Sequence, residues 1–307
     1  MTIKDTITEG SQLLQNTSPT PQLDTEVLLL NTLSGNSNLN KSYLYSHLDI
    51  NVPNSAIVNL KQKLSRRAKG EPIAYIIGYK EFYNLNFCTN KDVLIPRPET
   101  EQIVDLVIEV INNKLTTYSN TNSKPQSIFI DIGTGSGCIP ISILKSLNTK
   151  YLINHTFFAT DISTKALKVA EQNAKTHQIK DNITFLHGNL LEPAYQLINK
   201  TKKGINNFII TANLPYLKPN EKDCSIKQEP NLALYGGEDG LVLIRKLMTQ
   251  VKEYFQLPTF DFHIFIEHSP NQTTPIRNHS LNLFPKALMK VHKDIQGLNR
   301  ITHIKIN

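Results

Sequence analysis

The stretch Ile128-Phe129-Ile130-Asp131-Ile132-Gly133-Thr134-Gly135-Ser136-Gly137 decides the fold. A short β-branched and aromatic run reads as a buried strand, alternating glycines break it, and the apolar segment from Cys138 to Leu147 has helical length. Glycines at a strand-to-helix turn let a ligand approach the backbone, and free N–H groups at the helix start can meet it. The pattern lacks the Gly-Lys-Ser/Thr ending of a phosphate loop. Its third glycine follows the second by two positions instead of the three of a dinucleotide fingerprint. The turn therefore points to a nucleotide-like ligand without naming it.

Outward from this turn, buried-strand runs alternate with helical segments. The strands are read at Ile128 to Ile132, Phe157 to Thr160, Ile183 to His187, Phe208 to Ala212 and Phe262 to Glu267. Such alternation specifies a parallel sheet covered by helices on both faces. The tail differs: Ala287 to His292 and Arg300 to Ile306 flank a short loop at Gly297, which predicts an antiparallel pair. Upstream, Ile103, Val104, Val107 and Ile111 mark a helix after Glu99. The polar run Asn112 to Gln126 is expected to be a loop.

The N-terminal part reads as a small helical domain. Leu23, Val27, Leu28 and Leu30 recur at helical spacing between Pro21 and Leu33, and Ile57, Leu60 and Leu64 do so between Pro53 and Lys69. Gly35 and Gly70 are the expected stops, and the leucine stripes are expected to be core. Lys61-Gln62-Lys63 and Arg66-Arg67 are read as solvated helix faces. Glu81 to Cys88, aromatic and alternating with Asn turn residues, predicts a hairpin connector. The resulting division is 1–80 helical, 81–96 connector and 97–307 α/β.

Composition limits the partners. The chain has 307 residues, 39% hydrophobic and 19% charged, so a sizeable core can form. Lys plus Arg is 33 against 26 Asp plus Glu, a formal charge of +7 that is compatible with anionic partners but identifies none. Cys88, Cys138 and Cys224 lie far apart, so neither a disulfide framework nor a zinc site is indicated. No His pair has metal-ligand spacing, no stretch is apolar enough to span a membrane, and no signal-peptide core is present. A reduced, cytoplasmic setting is the expectation.

Two sets of residues carry candidate chemistry. Asp161 ends the second strand, where a carboxylate can accept two ribose hydroxyl hydrogen bonds. A helix-capping role is the alternative, although Ser163 is itself a good cap. At the third strand end, Asn189 can bond an adenine edge and Leu190 can cover its face, unless the two simply make a turn. The fourth strand runs into Asn213-Leu214-Pro215-Tyr216, which in an open sheet faces the ligand crevice. An amide or aromatic amine nitrogen is a weak nucleophile, so its NH₂ must be held rigidly. The Asn213 side-chain oxygen can accept one N–H and the Leu214 carbonyl the other. Pro215 keeps residue 214 extended, and Tyr216 offers a flat ring to a planar group.

These residues lie within a wider resemblance, which runs from about residue 20 to the C-terminus. Arg66-Arg67-Ala68-Lys69-Gly70-Glu71-Pro72-Ile73-Ala74-Tyr75, Val93 to Glu101, Asp131 to Gly137, Glu229-Pro230, Leu232-Ala233-Leu234 and Gly236-Gly237 together resemble the peptide-chain release factor glutamine methyltransferases. The resemblance implies a class I domain dependent on S-adenosylmethionine (AdoMet). Such a domain is Rossmann-like, with a mostly parallel seven-stranded sheet and an antiparallel C-terminal strand. A helical domain that helps to bind release factor precedes it. The implied activity is methylation of the glutamine in the Gly-Gly-Gln motif of class-1 release factors. Gly133, Thr134, Gly135, Ser136, Gly137, Asp161, Asn189, Leu190 and Asn213 would then contact AdoMet. Asn213, Leu214, Pro215 and Tyr216 would hold the glutamine, with Asn213, Pro215 and Tyr216 at the reacting centre.

Three positions depart from the family pattern. Leu214 replaces a Pro, Asn189 stands where Asp is usual, and His268-Ser269 follows Glu267 where Gly is usual. Asn-Leu-Pro-Tyr also resembles enzymes that methylate the exocyclic amine of adenine in RNA or DNA. A non-catalytic AdoMet-fold binding module is a third reading. The proline-flanked Arg97 segment and the helical N-terminal part resemble the glutamine enzymes, so release factor is the expected partner. No direct nucleic-acid or membrane partner and no metal are expected.

Overall fold

Ile128, Ile130 and Ile132 point to one side of their strand and Phe129 to the other, and each side meets a separate apolar core. This period-two division builds three layers, a sheet between two sets of helices. The structure, a computed structural model, describes residues 1–34, 39–118, 127–147, 155–201, 205, 207–221, 226–255 and 261–306. Residue contacts divide the chain into two units. Met1–Tyr79 with residues 226–228 form one, and Lys80–Glu221 with Glu229–Asn307 form the other.

In the first unit, helices span Ile3–Leu14, Pro21–Leu33, Lys41–Ser46, Asn54–Ala68 and Ile73–Ile77. Thr2 and Asp5 close a capping box on the first of them, a helix that the apolar spacing did not reveal. Ile3, Ile7, Leu14, Leu28, Leu29, Leu60 and Leu64 share the core. Leu23 lies outside it, 41% exposed, while Asp24, Thr25 and Glu26 are buried. Polar partners account for the burial of Asp24: Arg67 Nε donates to Asp24 Oδ2 at 2.6 Å, and Ser18 donates to the same oxygen at 2.6 Å. The expectation of solvated Lys and Arg faces is thus corrected at Lys63, which donates to Asn31 Oδ1 at 2.6 Å, and at Arg67. Arg66, although exposed, pairs with Glu71 at 2.7 Å. Lys61 and Gln62 are exposed as expected, and the stop assigned to Gly35 lies outside the described residues.

The hairpin of β1 (Tyr79–Phe82) and β2 (Leu85–Cys88) turns on Tyr83 and Asn84, whose φ angles of 52° and 58° form a tight two-residue turn. Glu101 secures it by accepting from the Tyr83 N–H at 2.8 Å. The helix that follows, Glu101–Tyr118, continues through Asn112–Tyr118, where a loop was expected. The apolar residues Ile103, Val104, Val107 and Ile111 carry its buried face. The remainder of that expected loop, 119–126, lies outside the described residues.

Among the described residues seven strands form the main sheet. They are β3 (Ser127–Ile132), β4 (His155–Asp161), β5 (Ile183–His187), β6 (Asn207–Ala212), β7 (Asp261–Glu267), β8 (Leu288–Lys293) and β9 (Asn299–Ile306), in the order β5-β4-β3-β6-β7-β9-β8. β3 pairs in parallel with both β4 and β6, and β9 runs antiparallel to β7 and β8. The strand order therefore reverses between β3 and β6, where open sheets leave a crevice at the carboxyl ends. Asp131, Asp161 and Asn213 all come from those ends.

Candidate functional site

The glycine turn is pinned to the next strand before it can meet any ligand. Gly133 and Thr134 both donate their N–H groups to the Thr160 carbonyl at 2.9 Å. Gly133 and Gly135 adopt φ of 69° and 54°, and a Cβ on Gly135 would meet nothing nearer than 4.0 Å, so that face of the turn is open. Gly135 N–H donates to Asp161 Oδ2 at 2.9 Å and Ser163 N–H to Oδ1 at 2.8 Å. Ser163 caps the helix Thr164–Thr176 through Ala166 N–H. Asp161 is therefore not the cap. Burial raises its carboxyl above the usual range, and the two backbone donors pull the other way.

Asp131, beneath the turn, accepts from the Thr211 hydroxyl at 2.6 Å through Oδ1. Its Oδ2 and the neighbouring Thr134 hydroxyl are buried without a well-formed hydrogen bond. Burial pushes the Asp131 carboxyl up to about 7. A cation beside this pair would restore ionisation and supply the missing donor. Sequence reading assigned Asp131 no role.

At the sheet edge, Leu190 holds a left-handed φ of 55° and its carbonyl accepts from the Thr160 hydroxyl at 2.8 Å. A leucine held in this conformation needs such support, and it sits at the rim of the crevice. Asn189 beside it is half-buried.

At the fourth strand end, Asn213 Nδ2 donates to Thr100 Oγ1 at 3.0 Å, and Thr100 donates to Glu267 Oε2 at 2.7 Å. That order of donors leaves Asn213 Oδ1 as an acceptor. The Leu214 side chain is buried beside Gly133, where an added Cβ would come within 3.0 Å of it. The loop 235–240 braces the backbone: Cβ atoms on Gly236 and Gly240 would stand 2.2 Å from the Pro215 carbonyl oxygen and 2.1 Å from that of Tyr216. Gln272 also donates to the Tyr216 carbonyl at 2.9 Å. Burial pushes the Tyr216 phenol up to about 12, so it stays neutral.

One cavity of about 420 Å³ joins these elements. Gly133, Thr134, Gly135, Ser136, Asp161, Asn189, Leu190, Asn213, Leu214 and Pro215 line it. Gly137 and Tyr216 do not. A Cβ on Gly137 would approach Ile141 and Ala170, so its place is against the helices, and Tyr216 meets the bracing loop. Residues 91–97 form another wall, and of these Val93 to Arg97 belong to a segment that carries the family resemblance. Buried Glu229 holds that wall, accepting from the Ile95 N–H at 3.0 Å and pairing with Arg97. Prolines around an arginine, and a glutamate followed by proline far along the chain, were the available signals.

The PrmC N-terminal domain matches residues 5–78 and a methyltransferase domain matches residues 123–225. Release factor glutamine methyltransferase from Coxiella burnetii is 35% identical over 255 residues, covering 83% of this chain and 82% of that protein. This chain belongs to the release factor glutamine methyltransferase family. The Thermodesulfovibrio yellowstonii member is 37% identical, with 79% of each chain covered. The bifunctional methyltransferase of Rickettsia bellii is 31% identical over 99% of this chain but only 55% of its own length. The chain thus spans about half the length of the bifunctional relatives it matches. The class I methyltransferase fold expected from the resemblance is borne out by the sheet order and the methyltransferase domain match. None of the described helices is long and apolar enough to cross a membrane.

Proposed function

We propose that this chain methylates the side-chain amide nitrogen of the glutamine in the Gly-Gly-Gln motif of class-1 release factors, with AdoMet as donor. The observation that carries the reading is the fixed orientation of Asn213. Its Oδ1 is left free to accept an N–H in the same cavity that contains the glycine turn and Asp161.

The residues fit AdoMet. Asp161 keeps lone pairs for ribose hydroxyls, Asn189 and Leu190 suit an adenine at the sheet edge, and Gly133 to Ser136 give an open backbone cradle. The unsatisfied Asp131 Oδ2 and Thr134 hydroxyl match an ammonium group. Bound AdoMet supplies an electrophilic methyl on a sulfonium centre. The chain's own contribution is to hold the nucleophile: Asn213 Oδ1 and the Leu214 carbonyl accept the two amide N–H groups, which raises electron density on nitrogen. Pro215 restrains residue 214 despite the Leu at that position. The helical part, 1–80, would bind release factor, 81–96 would connect, and 97–307 would carry the chemistry in the cytoplasm.

Transfer of a labelled methyl group to purified release factor, with ribosomal RNA as a competing acceptor, tests the reading. Label on release factor supports it. Label on RNA alone would favour an adenine amine as acceptor.

A further inference from the structure

We propose that Thr100 and Glu267 are positioning residues for the reacting nitrogen, acting as a hydrogen-bond relay that keeps the Asn213 side-chain oxygen, and not its NH₂, facing the substrate. The proposal rests on the amide-methylation reading and deepens it. Three separate chain segments meet in this relay. Asn213 follows β6, Glu267 ends β7, and Thr100 closes the turn Pro98–Thr100. The β6–β7 register aligns Ala212 with Ile266, which sets Asn213 and Glu267 at neighbouring strand ends.

The logic is donor counting. Thr100 has one hydroxyl proton, and it goes to Glu267 at 2.7 Å. Only lone pairs remain for Asn213, so the amide must present Nδ2 to Thr100, at 3.0 Å, and turn Oδ1 away. Thr100 is 2% exposed and Glu267 1%, so water does not compete for these bonds. A substrate amide needs an acceptor at this point; an NH₂ facing it would repel its own N–H. The relay thus decides between a productive and an unproductive rotamer that have the same shape.

The relay can also be reversed. A protonated Glu267 can donate to Thr100, whose own proton is then free to go to Asn213 Oδ1, and the amide flips. Burial pushes the Glu267 carboxyl up to about 7. Among the described residues, the charged and titratable groups that influence it or respond to it are Arg300 on β9, Arg97 and Glu99 before the helix, Tyr216 after β6, and Cys138. Protonation of Glu267 should therefore lower turnover as pH falls through the neutral range.

The test uses the full chain, labelled AdoMet and release factor, with Thr100→Val and Thr100→Ser. Thr100→Val keeps volume and removes the hydroxyl, so kcat should fall about 10- to 100-fold while KM for release factor and Kd for AdoMet change less than about threefold. Thr100→Ser should recover most of kcat. The acid limb of the kcat profile, measured at saturating AdoMet, should be present in the wild-type enzyme and absent in Thr100→Val. Independently of activity, the side-chain NH₂ signals of Asn213 in ¹⁵N-labelled protein, assigned by their loss in Asn213→Ser, should show one slowly exchanging proton that speeds up in Thr100→Val. Unchanged kcat in Thr100→Val would overturn the relay, as would equal losses in Thr100→Val and Thr100→Ser. If the wild-type enzyme methylates some acceptor other than glutamine, the functional reading fails. The Asn213 signals still decide the relay: a rapidly exchanging pair in the wild-type protein would contradict it.

Discussion

Asn213 and Thr100, 113 positions apart in sequence, share a 3.0 Å hydrogen bond in which the asparagine is the donor. The direction matters more than the distance. It commits the polar end of Asn213 that faces the cavity to accepting hydrogen bonds, which is the property a weakly nucleophilic amide nitrogen requires.

Replacing Asn213 with Ala removes that acceptor. Turnover should fall by about 10²- to 10³-fold, as for other preorganised polar contacts at a reacting atom, with a much smaller change in AdoMet affinity. Steady-state kinetics beside calorimetry separates the two effects. Full turnover by a folded Asn213→Ala protein would remove Asn213 from the mechanism.

Asp161→Ala should act at the other end of the cavity. It would remove the proposed acceptor for two ribose hydroxyls, and it leaves the Gly135 and Ser163 N–H groups without their partner. The expected loss of AdoMet binding is roughly 1.5–3 kcal/mol, about 10- to 150-fold in Kd. Unchanged affinity by calorimetry would sink the ribose assignment.

Gly236→Ala tests the brace behind Pro215. The new methyl would lie 2.2 Å from the Pro215 carbonyl oxygen and 2.7 Å from the Gly240 carbonyl oxygen, so backbone must move. A stability loss of about 1–3 kcal/mol is expected, with kcat reduced at least about tenfold because the loop proposed to position the substrate shifts. Thermal melts and single-turnover rates read these two outcomes. Wild-type values in both would mean the brace is dispensable.

Stability should depend on pH through Asp131. Its folded carboxyl lies near 7, above its usual 3.8, so between those values the native state holds a proton that the unfolded chain has lost. Stability from this group is therefore greatest at low pH and falls as pH rises through that window. Asp131→Asn, melted at pH 5 and pH 8 without AdoMet, should show a smaller difference in Tm than the wild-type protein. An identical difference in both would show that Asp131 is not the titrating group.

Much of this was legible in the sequence because it depends on local pattern. The strand before Gly133, the glycine turn, Asp161 one strand later and Asn213 at the fourth strand end are each set by short-range periodicity and turn chemistry. The connector hairpin was legible for the same reason. What stayed hidden depends on long-range pairing. Asp24 is buried because Arg67 reaches it, and Thr100 matters because Glu267 and Asn213 converge on it. Neither relation leaves a periodic trace. The helical run from Asn112 to Tyr118 was misread because its polar residues continue an apolar-faced helix that had already begun. Polarity at Asn112 and Asn113, both exposed, does not end the helix.

The central claim is that a glutamine amide is the methyl acceptor. Its most direct test is peptide mapping by mass spectrometry after incubating the protein with isotopically labelled AdoMet and a purified class-1 release factor. A parallel reaction uses release factor in which the Gly-Gly-Gln glutamine is changed to alanine. The account predicts a single added methyl on that glutamine, and none in the altered release factor. Labelling of both release factors at another residue, or of neither while AdoMet is bound, would contradict it.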